Sequence, residues 1–282
     1  MRAIVVDEGV TQFTMSRRAF GRDLYRAACY LVDGLLVDTG IAHEEREFLR
    51  ALDGRPVNVV LNTHSHEDHI GGNAMLHSTR RVPILAHPRA LPVLSDPRRL
   101  ALRPYQRFLF GTPRPSPAEP VGGTISTGRH EFRVVETPGH SADHIALFEE
   151  KRGWLFCGDA YIGGRERVLR EDYDVRGMIR TYERLAALNP DTLFTGTGAV
   201  VHDPARRIER KITHLLETGE RILELRRSGL EERDIARRLL PGDRAIRCVT
   251  SGHFASVHLV RSFLSPLPDD RPLTPTRTPP AC

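Results

Sequence analysis

Lysine is almost missing from this chain. Of 41 basic residues only Lys151 and Lys211 are lysines, so the formal charge of +5 rests on arginine. Many of these arginines sit beside Glu or Asp, and the skew reads as a compositional habit rather than a nucleic-acid signature. The basic balance stays compatible with an anionic small-molecule substrate. The four cysteines, Cys29, Cys157, Cys248 and Cys282, are scattered with no CxxC pair. No stretch approaches the length of a membrane span, and the opening Met1–Glu8 holds too short an apolar run for a signal peptide. A soluble protein in a reducing, cytoplasmic setting is the default expectation. Solenoid repeats, a P-loop and a dinucleotide fingerprint are all absent. At 282 residues the chain can bury a sizeable core, in one main αβ domain with an appendage.

What is present is concentrated in one stretch, Val59 to Asn73. An apolar, β-branched run ends in Asn62-Thr63; His64, His66, Asp68 and His69 follow within six positions, and Gly71-Gly72 then let the chain turn. In extended backbone, side chains at i and i+2 point the same way. His64 and His66 can therefore share one cation, while Asp68 and His69 lie past the turn and can reach a second. Imidazole with carboxylate suits zinc, iron or manganese better than calcium or magnesium.

The segment His64-Ser65-His66-Glu67-Asp68-His69 resembles the His-x-His-x-Asp-His signature of the metallo-β-lactamase-fold hydrolases. Two later pieces extend the resemblance over about residues 28–198. Pro138-Gly139-His140-Ser141 follows the strand 131–136, and Gly158-Asp159 follows the strand 154–157, so both side chains can project from sheet ends toward the first cluster. The resemblance implies an α/β (α+β) fold, a four-layer αβ/βα sandwich with a C-terminal helical appendage. It also implies that His64, His66 and His140 hold one metal and that Asp68, His69 and a bridging Asp159 hold another. Asp38 takes a supporting role behind the ligands. Asp68 is in addition the candidate catalytic residue, orienting water or shuttling a proton.

One departure stands out. The family's next strand usually ends Gly-His-Gly, whose histidine completes the second site, but here it ends Gly196-Thr197-Gly198. His253, on a Gly-containing turn entering an apolar helix at 255–264, is the candidate replacement. Zinc, one or two ions per chain, is the expected cofactor, with iron or manganese as alternatives.

Elsewhere the pattern predicts strands at 2–6, 28–38 and 82–87, helices at 43–53 and 175–188, and strongly helical character over 204–240. Seven prolines between Leu91 and Gly123, interleaved with Tyr105, Phe108 and Phe110, predict an irregular insertion, either a substrate lid or a surface excursion. His144 reads as a supporting residue, Tyr161 and Cys157 as packed ones. The expected division is a metallo-β-lactamase-like domain over 1–203, a helical region over 204–264 and a disordered tail over 265–282.

The functional expectation is a metal-dependent hydrolase of the glyoxalase-II-like branch, acting on a thioester, lactone or other ester. A phosphodiesterase or endoribonuclease of the same fold, and a non-enzymatic metal-binding protein, are the competing readings. Nucleic-acid binding is the minor partner reading, membrane binding is not expected, and a homodimer is allowed.

Overall fold

The computed structural model describes residues 1–19 and 21–265. The expected tail therefore lies, apart from Ser265, outside the described residues. Fifteen strands and nine α-helices alternate along these residues. The first half carries β1 (Arg2–Asp7), β2 (Val10–Ala19), β3 (Arg22–Val32), β4 (Leu35–Val37), α1 (Glu45–Ala51), β5 (Val59–Leu61), α2 (Asn73–Arg80), β6 (Ile84–Ala86), α3 (Leu91–Ser95), α4 (Pro104–Phe110) and β7 (Glu119–Pro120). The second half carries β8 (Thr124–Ser126), β9 (Glu131–Glu136), β10 (Ile145–Glu149), β11 (Trp154–Gly158), β12 (Leu169–Arg170), α5 (Val175–Ala187), β13 (Thr192–Thr195) and β14 (Val200–His202). Then come α6 (Ala205–Arg227), α7 (Glu232–Leu239), α8 (Arg244–Val249), β15 (Phe254–Ala255) and α9 (Ser256–Leu264).

β1 to β7 form one sheet in sequence order, antiparallel to β4 and parallel from there. The second sheet runs β14-β13-β11-β10-β9-β8, and β12 pairs with β15 in a separate ladder. The alternation of side chains across each strand explains the layering. Along β3, Ala28, Tyr30 and Val32 face the layer between the sheets, while Ala27, Cys29 and Leu31 face outward onto α1 and α2. β11 does the same for the second sheet. Trp154 and Phe156 point inward, whereas Leu155 and Cys157 point out to α5 and α6. Strands buried on both faces read as continuous apolar runs, which is how this sequence spells them. The result is the expected four-layer αβ/βα sandwich.

The helices after residue 204 have no core of their own. Ile208, Leu215, Ile222, Leu259 and Phe263 share one cluster with Met178 and Ile179 of α5, so the helical region completes the outer layer of the second sheet. Each such buried side chain is worth roughly 1.5–3 kcal/mol relative to exposure. Among the described residues no helix is long and apolar enough to cross a membrane.

Candidate metal centre

β5 ends at Leu61, and the next eleven residues form a loop that brings four candidate ligands to the rim of the sandwich. A buried amide and hydroxyl network holds this loop. Asn73 donates to Asn62 at 2.7 Å, and the Thr39 hydroxyl donates to Asn73 at 2.7 Å and to the His69 carbonyl at 3.1 Å. The His69 amide closes the turn on the His66 carbonyl at 3.0 Å. Gly71 serves close approach: it has no left-handed φ, but a Cβ there would strike Ala42 N and Gly40 O.

His64 and His66 leave this loop together. Nε2 of His64 and Nδ1 of His66 lie 3.0 Å apart, and Nε2 of His140, arriving after β9 of the other sheet, lies 2.9 Å from the same Nδ1. All three rings are buried. Burial first, then the neighbouring cationic groups, hold His64 and His66 well below the ordinary imidazole range and His140 down to about 4. Neutral imidazoles with convergent nitrogens are what a cation with bonds of about 2.0–2.1 Å to nitrogen requires.

A second group adjoins it. Nε2 of His69 sits 3.5 Å from Oδ1 of Asp159 and 3.8 Å from Oδ2 of Asp68. The other Asp159 oxygen, Oδ2, faces Nε2 of His140 at 3.7 Å, so this carboxylate stands between the two groups. His69 Nε2 and Asp159 Oδ1 are buried with no hydrogen-bond partner. Orphaned buried polar atoms are costly, and a bound cation is the group that would satisfy both. The donor clusters able to hold an ion among the described residues are His64 with His66 and His140, and His64 with His69 and Asp159. The residues present therefore fit a metal.

Charge follows this arrangement. Burial opposes ionisation of Asp159, but His69 and then His140 overcome it and hold the carboxyl well below its usual range. For His69 burial again opposes the charge, and the carboxylates of Asp38, Asp68 and Asp159 raise it well above. Asp68 is raised by burial and by Asp159, against the pull of His69.

The supporting shell is built from both sheets. Asp38, at φ 61, accepts from the Thr63 amide at 2.7 Å and the Thr63 hydroxyl at 2.8 Å, and its Oδ2 lies 2.7 Å from Nδ1 of His69. Asp residues tolerate that left-handed backbone better than most. His144 accepts the Asp159 amide at 3.1 Å and stacks on His64 with ring centroids 4.6 Å apart. Thr197, in the place of the family's last histidine, turns its hydroxyl to Thr195 at 3.1 Å. Beside it Gly196 leaves no room for a side chain, since a Cβ would strike Asp159 Oδ1 and lie 2.7 Å from His69 Cε1.

His253 stands apart from both groups. Its Nδ1 is hydrogen-bonded to the Tyr105 hydroxyl at 2.7 Å, and the expectation that it replaces the last ligand finds no geometric support. What it joins instead is the insertion. Gln106 of α4 donates to Glu67 at 2.7 Å, and Arg103 reaches the Ser251 carbonyl at 3.1 Å and Glu171 at 2.9 Å. The 91–123 segment thus straps the metal loop to the C-terminal turn. Tyr161 is packed, against Tyr182, and Cys157 is fully buried.

Three side chains escaped the sequence reading. Tyr25 sets its hydroxyl against Asp68, and Tyr173 lies over His66 and brings its hydroxyl to 3.3 Å from Nε2 of His140. Arg170, paired with Asp172 at 2.6 Å, stands over the Tyr173 ring. Tyr25, His140, Asp159, Tyr173 and Phe254 line a cavity of about 300 Å3, with the 162–169 loop closing the rest. A larger groove, about 720 Å3, runs along α6 and holds none of these donors.

Known proteins resemble this chain in sequence and in fold. A family model described as the metallo-beta-lactamase superfamily matches residues 22–197. The beta-lactamase-like protein 2 homolog of Drosophila melanogaster is 28% identical over 180 residues, 60% of this chain and 54% of that protein. A hydroxyacylglutathione hydrolase of Bdellovibrio bacteriovorus is 30% identical over 163 residues, 56% of this chain and 55% of that protein. The chain thus spans little more than half the length of these curated relatives. The crystal structure of a metallo-beta-lactamase family protein from Thermus thermophilus superposes with a TM-score of 0.67 at 19% identity, covering 92% of this chain and 94% of that one. At that identity the likeness is one of fold.

Proposed function

Because the chain belongs to the metallo-beta-lactamase superfamily, we propose that it is a metal-dependent hydrolase of small-molecule thioesters, lactones or other esters. One observation carries the reading. His69 Nε2 and Asp159 Oδ1, buried and unpartnered, face each other at 3.5 Å beside three neutral imidazole nitrogens. His64, His66 and His140 would hold the first ion, and His69 and Asp159, which close on His64, a second, with Asp68 outside that tight donor cluster at 3.8 Å from His69 Nε2. Zinc is the assigned metal, and the same donors accept iron or manganese. A bound divalent cation supplies a Lewis acid that lowers the pKa of a water and polarises the substrate carbonyl.

The chain's own residues do the rest. Asp68, in a setting that raises its carboxyl, takes the proton of the attacking water and returns it to the leaving thiolate or alkoxide. The Tyr25 hydroxyl lies against it and restrains the carboxyl. Asp38 fixes the His69 ring through Nδ1, leaving Nε2 for the ion. His144, through the Asp159 amide, positions the shared carboxylate. Tyr173 covers His66 and His140 and keeps bulk water from that side.

Metal atoms per chain, measured on protein purified without added metal or chelator, test the centre. Hydrolysis of a hydroxyacyl-glutathione thioester and of a lactone, against a bis-aryl phosphodiester and single-stranded RNA, tests the chemistry, with metal-stripped protein as control. Bound metal with phosphodiester or RNA cleavage alone would replace the ester reading by the nuclease one. Bound metal and no turnover on any substrate would favour a non-enzymatic role.

A further inference from the structure

A second concave surface, away from the candidate metal centre, plays no part in the chemistry above. The groove of about 720 Å3 lies between the 161–165 loop and one face of α6, and Arg165, Arg207, Arg210, Lys211, His214 and Glu217 line it. Positions 207, 210, 211 and 214 fall at helical spacing, so these four of the basic side chains of α6 share that face.

Their charges are not equivalent. Lys211 is spent on structure: its side chain is 3% exposed, it pairs with Glu166, and it donates to the Gly164 carbonyl at 3.1 Å. Its ammonium also lies over the rings of Tyr161 and Tyr182. This clasp fixes the 161–166 loop against α6 and so gives the groove two rigid sides. Arg165, Arg207 and Arg210 have no ion-pair partner among the described residues, and Glu217 is the one carboxylate lining the groove. His214 Nε2 is buried there without a hydrogen-bond partner. Three guanidiniums without an ion pair and an unpartnered imidazole nitrogen, with one acid among them, make a concave surface of positive field. Of these, Arg210 gives only its Nε to the Arg206 carbonyl, at 3.1 Å. Guanidinium forks match phosphate oxygens two at a time, and a phosphate group offers three strong acceptor oxygens and up to two charges to several forks at once.

We propose that this groove binds a phosphate-bearing small molecule of about nucleotide size, through Arg165, Arg207 and Arg210. A cavity of this volume lies within the range of roughly 300–1,000 Å3 that small-molecule ligands occupy. Gly163 and Arg165 also line the cavity at His140 and Asp159, so the bound phosphate sits one loop away from the metal centre. The assignment does not depend on the hydrolytic reading.

Titration calorimetry on the full metal-loaded chain, at about 0.15 M ionic strength, uses two probes, inorganic pyrophosphate and adenosine 3′,5′-bisphosphate. Saturable one-to-one binding is expected. It weakens roughly tenfold or more in the Arg207→Ala/Arg210→Ala double variant, and it is unchanged in Arg221→Ala/Arg227→Ala, which removes equal charge from the same helix outside the groove. Equal affinity for both probes identifies the bare phosphate as the recognised group, and tighter bisphosphate binding identifies a nucleotide. Since pyrophosphate also binds metals, His66→Ala is the third arm, and binding survives in it. Four results would each overturn the proposal: no saturable binding of either probe, equal weakening in both double variants, loss in His66→Ala, or a preference for a single-stranded RNA oligomer over both probes.

Discussion

Nδ1 of His69 lies 2.7 Å from Oδ2 of Asp38, an aspartate that is itself held by the Thr63 amide and hydroxyl. One carboxylate thus fixes both the ring of a candidate ligand in the turn and the backbone just before His64. Asp38→Asn keeps the size and an acceptor but loses the charge that holds His69. About a 10–100-fold loss of affinity for the second ion is expected, read as metal retained per chain during dialysis against a graded chelator. Retention equal to that of the parent would leave Asp38 a turn residue and nothing more.

Asp68→Asn separates binding from turnover. The three imidazoles of the first group are untouched, so at least one metal per chain stays. Ester hydrolysis falls by roughly 10²–10⁴, and Asp68 leaves the mechanism if a fully metallated variant turns over at the parent rate.

His253→Ala leaves metal content unchanged, because its nitrogen is bonded to Tyr105 and not turned to the ions. The loss appears in the strap. Limited proteolysis between residues 96 and 118 accelerates, and the chain loses about 1 kcal/mol of stability. A drop in metal per chain would restore His253 to the ligand set.

Gly196→Ala places a methyl group against Asp159 and His69. Overpacking of this kind costs about 1–3 kcal/mol, and here it also displaces the shared carboxylate. Lower thermal stability together with lower metal occupancy is the expected pair of results; normal occupancy would mean that the 195–198 turn yields instead.

The metal-free protein is acid-labile in a defined window. Burial holds His64, His66 and His144 well below the ordinary imidazole range and His140 down to about 4. The unfolded chain therefore takes up protons first, near pH 6.5. These groups contribute full stability above that pH, and the contribution is lost as pH falls from about 6.5 toward 4. Glu67, pushed up to about 7 by burial, and Asp68, also raised, act in the opposite sense over this interval. Chemical denaturation of chelated protein at several pH values is therefore run on Glu67→Gln/Asp68→Asn, where a flat profile would contradict the buried, neutral imidazoles.

Local spacing made the candidate donors legible. His64, His66, Asp68 and His69 lie within one loop, and His140 and Asp159 each follow an apolar strand, so the pattern needed no tertiary knowledge. The β2–β3 hairpin was harder to see. At its outer end Arg18, Arg22, Asp23, Leu24 and Arg26 are exposed, and the apolar signal begins only near Ala27. Tyr25 went unseen with it. Tyr173 lies in a charged stretch with no periodicity and reaches the site only through the β12–β15 ladder, a pairing across more than eighty residues. His253 misled for the converse reason: the Gly-containing turn does aim it inward, but at a tyrosine of the proline-rich insertion, whose path no local pattern encodes.

The candidate ligands come from opposite halves of the chain, His64 to His69 after β5 of one sheet, His140 and Asp159 after β9 and β11 of the other. Neither sheet alone assembles a complete donor set, so high affinity for the ion appears only once the two sheets have met across the Phe156 and Phe194 layer. Metal capture is then a late event in the chain's assembly and marks its completion. In reverse, an ion in place acts as a clasp between two leaves, and parting them means losing it first, so chelators should speed unfolding much more than they slow refolding.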